Sequence, residues 1–184
     1  MRTSYLSPVL SVMMHKLALL FTLSLGLTPP LLAQTRRMPT PATSPSPKYS
    51  RTPTGFLMVL RPGDNVLHEL EQLAVREKIP SASFTGFGFV HPTFGFWDAS
   101  KKDYNPKSFR NTELASMTGS IAWKDDKPAL HVHGVVTDKE FKAYGGHILA
   151  LEVSTGSVEI TIVVQPQKLI REVDESTGAA VLGL

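Results

Sequence analysis

Apolar and polar positions divide the chain into three stretches with different patterns. In the first, residues 1–33, Arg2, His15 and Lys16 precede an apolar segment, Leu17 to Leu27 (LALLFTLSLGL), which breaks at Pro29 and Pro30 before Leu31-Leu32-Ala33. A positive start, a short apolar run and a small residue at its end form the pattern of a secretory signal. The run is shorter than the ~20 residues a spanning helix needs. The expectation is cleavage after Ala33, no stable membrane span thereafter, and an exported protein, periplasmic or secreted. The second stretch, residues 34–54, is rich in Pro, Ser and Thr and poor in large apolar residues. Such a composition buries too little surface to offset chain ordering, so a disordered linker is expected.

Residues 55–184 carry the periodicities of a folded domain. Phe56 to Leu60 reads as a short apolar strand, and Pro62-Gly63 as a turn. Asp64 is placed to cap a helix through its side-chain oxygen. Val66, Leu70, Leu73 and Ala74 then recur at helical spacing to about Lys78, with His68 and Glu69 off the stripe and Pro80 as the stop. Beyond this the pattern turns to strand. Residues 82–90, 93–98, 113–123, 128–137, 145–153 and 157–165 are rich in aromatic and β-branched residues and are separated by turn signals such as Asp125-Asp126. One amphipathic helix followed by short-looped strands predicts an α+β domain, a mostly antiparallel sheet with the helix over one face.

Composition narrows the chemistry. The chain has 184 residues and no cysteine, so it has room for one ordinary domain, and any metal must rest on His, Asp or Glu. The sequence pI of about 9.2 suggests nucleic acid, but the charge is badly placed for it. Arg2, Lys16, Arg36, Arg37, Lys48 and Arg51 are unopposed by any acid in the first 54 residues, which leaves 13 Lys and Arg against 16 Asp and Glu in the rest. A domain of formal charge −3 lacks the electrostatic footprint of phosphate binding.

The histidines are the chemically loaded feature. In ALHVHGVVTD, alternation puts Leu130, Val132, Gly134 and Val136 on one strand face and His131, His133 and Val135 on the other. Two histidines alone would read as an exposed or hydrogen-bonded pair. The third, His147, opens the next strand after Gly145 and Gly146. A hairpin centred near Glu140 would set His147 opposite His133 and diagonal to His131, with opposed Cβ atoms about 4.5–5.5 Å apart and diagonal ones about 7–8 Å. A slip of one residue would send His147 to the wrong face. In the expected register three imidazoles share one face and leave a fourth position open, the donor set of a catalytic rather than a structural zinc site. Gly145 and Gly146 would allow either a close backbone approach there or an ordinary loop end.

These residues also resemble a known family. The frame HVHGVVTDKEFKAYGGHI, with upstream Glu113-Leu114 and Thr118-Gly119-Ser120, the opening LRPGDNVLHELEQLA and the ending Asp174-Glu175-Ser176-Thr177-Gly178, is similar to the plants-and-prokaryotes conserved (PPC) domain over residues 55–184. The resemblance implies an α+β subunit assembled as a homotrimer. It also implies a divalent metal, zinc-like, held by His131, His133 and His147. Plant members accompany the domain with AT-hooks, of which this chain has no Arg-Gly-Arg-Pro core, and usually lack the third histidine. The fold is also similar to that of acetolactate decarboxylase, a fold-level analogy only.

Glu113 matches the family's glutamate and would serve as a general base beside the metal, or would be a surface carboxylate. His91 is a lesser candidate supporting group or a plain turn histidine. Phe84, Phe87, Phe89, Phe94, Phe96 and Trp97 read as core or subunit interface. Ser116 and Ser120 have no triad spacing. Three functions remain open: an exported metal-binding PPC protein acting on an unknown small molecule, a DNA-binding module, and a non-catalytic trimeric scaffold.

Overall fold

The computed structural model describes residues 47–183. The segment read as a signal, and the linker up to residue 46, lie outside the described residues. The fold begins before the expected Gly55: Tyr49–Thr52 (β1) pairs antiparallel with Gly55–Leu60 (β2), Tyr49 opposite Met58. Composition concealed this strand because Tyr49 alone carries its packing. Its ring meets Phe56 edge-on at 5.7 Å, and its hydroxyl donates to Glu77 at 2.7 Å.

The helix is Val66–Arg76 (α1), and the predicted stripe Val66, Leu70, Leu73 and Ala74 is its buried face. Its cap is Asn65, one residue after the expected Asp64, with the Asn65 side chain accepting from the His68 N–H at 3.1 Å. Asp64 instead closes the preceding turn by accepting from the Arg61 N–H at 2.8 Å and takes an ion pair from Lys48. Among the described residues no helix is long and apolar enough to cross a membrane.

The remaining strands are Ser81–Asp98 (β3), Asp103–Ser108 (β4), Thr112–Lys124 (β5), Lys127–Thr137 (β6), Ala143–Gln165 (β7), Ile170–Val173 (β8) and Ala180–Gly183 (β9). The predicted α+β class with a mostly antiparallel sheet holds, and among the described residues the one parallel pairing of strands is β5 with β8. Four expected strands are two long ones. β3 runs through Pro92, which sits where its outer neighbour changes from β5, ending at Val90↔Thr112, to β4, starting at Thr93↔Ser108. A missing N–H costs nothing at such a seam. β7 keeps its pairing with β3 across a bulge, since Val153 and Val158 lie opposite Val90 and Gly88. The break read between 153 and 157 is that bulge.

β3 pairs with β5 and β7, and β6 pairs with the other edges of both, so the four close into a cycle. The inside of this ring and the helix bury Phe84, Met117, Ile121, Ile160, Ile162, Leu70 and Leu73. The opposite side of the same strands faces outward, and it carries the histidines.

Candidate metal centre

The β6–β7 hairpin has the predicted register. His133 lies opposite His147, and Thr137 opposite Ala143, which centres the turn on Glu140. Asp138 organises that turn by accepting from the Glu140 and Lys142 N–H groups at 3.0 and 2.9 Å and from the Tyr144 hydroxyl at 3.1 Å. The two glycines answer different needs within β7: a Cβ on Gly145 would lie 2.6 Å from the Gly134 carbonyl oxygen, and Gly146 has φ +153°. Both conditions exclude ordinary side chains.

The three rings converge, with centroids 5.1, 5.2 and 5.3 Å apart. One nitrogen from each lies within 4.8 Å of the other two, and His131 Nε2 stands 3.2 Å from His133 Nε2. Two ligands on a tetrahedral ion with bonds of ~2.0–2.1 Å are separated by about 3.3–3.4 Å. The His131–His133 separation therefore matches two ligands of one divalent ion, and His147 brings a nitrogen within 4.8 Å of both. Electrostatics favour the ligating state. Burial first, then the charges of His131, His133 and Arg171, lower the pKa of His147 from 6.5 to about 4. His131 is lowered too, by burial and then by Arg171 and His133. Neutral imidazoles are the metal-binding form.

Five further elements frame the rings. Tyr104 of β4 stacks on His147, centroids 4.7 Å apart and 9° between planes, and Trp97 meets Tyr104 edge-on at 4.9 Å. Tyr104 has room because Gly95, opposite His147 on β3, has no Cβ; one there would lie 2.8 Å from the tyrosine ring. On β5, Thr118 lies opposite His133 and Ser120 opposite His131, so the Thr-Gly-Ser element flanks the site. Ser120 Oγ accepts from Arg171 Nη2 at 2.8 Å, and Ala129 O accepts from Arg171 Nε at 3.3 Å. Arg171 comes from β8, and with β9 it walls a cleft of about 470 Å³ lined also by Tyr104, His131, His147, Leu130 and Leu182. The turn joining β8 to β9 is the Asp-Glu-Ser-Thr-Gly element: Asp174 accepts from the Thr177 N–H at 2.8 Å, Gly178 takes φ +72°, and Trp97 Nε1 donates to Thr177 O at 3.2 Å. That last bond ties the turn to the aromatic pair beside His147. Tyr104, Gly95 and Arg171 escaped sequence reasoning, because no local pattern shows which distant strands meet the histidine face.

The other sequence candidates lie apart. Glu113 is opposite Thr137, four residues from His133, roughly 13 Å along β6 at 3.3 Å per residue. It shares the outward face but is outside the group of converging donors. His91 is not in a turn: it lies within β3 opposite Glu152, because the strand continues through Pro92, and its Nδ1 accepts from the Asn111 N–H at 3.0 Å. Phe84 is core, Phe94 is core as well, and Phe87, Phe89 and Phe96 are exposed.

The profile of the Plants and Prokaryotes Conserved (PCC) domain matches residues 48–165. No curated protein sequence matches this one. A crystal structure from Ralstonia eutropha JMP134, named as a candidate DNA-binding protein, is 61% identical with a TM-score of 0.73 and covers 74% of this chain and 96% of its own. The metal-containing protein of Archaeoglobus fulgidus is 27% identical, TM-score 0.63, covering 72% and 96%. A plant- and prokaryote-conserved (PPC) protein of Pyrococcus horikoshii is 26% identical, TM-score 0.65, covering 74% and 95%. The acetolactate decarboxylase of Bacillus subtilis subspecies spizizenii is 12% identical with a TM-score of 0.47, covering 64% of this chain and 56% of its own.

Proposed function

Because the chain belongs to the Plants and Prokaryotes Conserved (PCC) domain family and its three histidines converge, we propose that it is an exported protein holding a divalent ion for a small-molecule ligand. His131, His133 and His147 are the ligands. The single observation that carries this reading is the approach of three imidazole nitrogens to within 4.8 Å on one open sheet face. A set of three imidazoles suits zinc among the common divalent ions, and three protein ligands leave a further position for a donor from solution. The ion would supply Lewis acidity there, while the residues around it orient the rings and shape the cleft. Support for export is the pattern of residues 1–33, and a mature chain beginning at Gln34 by mass spectrometry is its test. Leu57, Phe87, Phe89 and Val135 are exposed on β2, β3 and β6, which supports burial of this apolar surface in a homotrimer, checked by sedimentation equilibrium.

The test of the metal reading is competition with a chromophoric zinc chelator. The full chain should withdraw zinc from the chelator, and His133→Ala should do so at least tenfold less well. Equal withdrawal by the two proteins would remove the assigned site.

A second reading, DNA binding, is favoured by the name of the 61% identical Ralstonia protein. It meets the formal charge of −3 over residues 55–184. It requires duplex binding that weakens steeply with salt, and weak binding that is flat between low and moderate salt would exclude it.

A further inference from the structure

Arg171 is 5% exposed, yet among the described residues no carboxylate lies within ion-pair distance of its guanidinium. A buried cation without a counter-charge costs several kcal/mol, and proteins keep such groups where something else supplies the charge. The guanidinium has five N–H donors. Two are committed, Nε to Ala129 O and one on Nη2 to Ser120 Oγ. These bonds hold the fork in place, and the remaining three donors have no protein acceptor among the described residues. Burial lowers the Arg171 pKa, and no carboxylate opposes that effect.

The cleft fixes the rest. Arg171 lines the same space as His131, His147 and Tyr104, and Leu130, Val181 and Leu182 add apolar surface to it. A divalent ion on the histidines would add two positive charges beside the guanidinium. Such a cleft suits an anion with an oxygen donor for the ion and an apolar remainder. Planar fork geometry matches a carboxylate better than a point charge does.

We propose that Arg171 is the carboxylate-recognition group of this site, and that the ligand is a small aliphatic carboxylic acid bearing a second oxygen near its carboxylate. The carboxylate seats on the free edge of the guanidinium and the second oxygen faces the three histidines. Ser120 holds the fork through its hydroxyl, and the β8–β9 hairpin supplies the apolar wall for the aliphatic part of the acid. This inference rests on the metal reading, and its test separates the two.

The experiment is calorimetric titration of the zinc-loaded full chain with 2-hydroxyisobutyrate and with its neutral amide, with zinc content measured on the same samples. The acid should bind at least tenfold more tightly than the amide. Arg171→Met should keep its zinc and lose the preference. Arg171→Lys, which keeps the charge and loses the fork, should lose most of it and serves if the methionine variant does not fold. Zinc retained with the preference intact in either variant would overturn the role of Arg171 and leave the metal site standing. No zinc in the unaltered chain would bring down the metal reading and this inference with it.

Discussion

Titration of His147 offers a quantitative check on where the structure puts it. In the unfolded chain its pKa is 6.5, and in the folded, metal-free chain burial and the surrounding charges hold it near 4. The unfolded state therefore binds more protons in that interval, and stability rises with pH through it. The contribution is complete above 6.5 and is lost as pH falls toward and through 4. Holding the pKa near 4 rather than 6.5 is worth about 3.4 kcal/mol, of which about 2.5 kcal/mol would be gone by pH 4.5. The ring is only half withdrawn from water, so solvent screening reduces the expected loss to about 1–2 kcal/mol. Urea unfolding of the full chain in EDTA at pH 7.5, 5.5 and 4.5, with His147→Gln in parallel, isolates the contribution of His147. The glutamine variant should lose about 1–2 kcal/mol less than the unaltered chain between the extremes. Parallel losses in the two proteins would mean that His147 is solvated, contrary to its stacking under Tyr104.

Gly119→Ala should cost about 1–3 kcal/mol in urea unfolding, because the new Cβ would lie 2.4 Å from the buried Phe84 ring and 2.7 Å from the His131 carbonyl. A neutral result would mean that Phe84 has room to move. Asn65→Ala should cost about 1 kcal/mol by the same assay, as the loss of a helix cap does, whereas Asp64→Ala should leave the His68 amide as protected as before. Trp97→Phe removes the bond to Thr177 O, so the Gly178 amide, which donates to Asp174 O at 2.7 Å, should exchange faster with deuterium while zinc stays bound. Unchanged exchange would show that the turn holds itself.

The histidine face was legible because strand alternation and hairpin symmetry are local rules: once the turn centres on Glu140, His133 must meet His147. The helix stripe was legible for the same reason, and the cap was misplaced by one residue because Asp64 and Asn65 are both competent acceptors, divided here between turn and helix. Two long strands were read as four, since a proline and a polar bulge imitate turns, and only the positions of their partners show that pairing survives. Tyr49–Thr52 was lost to its Pro- and Thr-rich surroundings. Arg171 was the least accessible of all. Its place depends on the parallel contact Trp123↔Ile170, which carries the chain from the far edge of β5 back over the histidines. Nothing within β8 announces that contact.

The most direct test of the three-histidine centre is zinc K-edge X-ray absorption on the zinc-loaded full chain. A first shell containing about three imidazole nitrogens at ~2.0–2.1 Å is predicted, falling by one in His131→Ala. A shell without imidazole, or one unchanged by that substitution, would contradict the account.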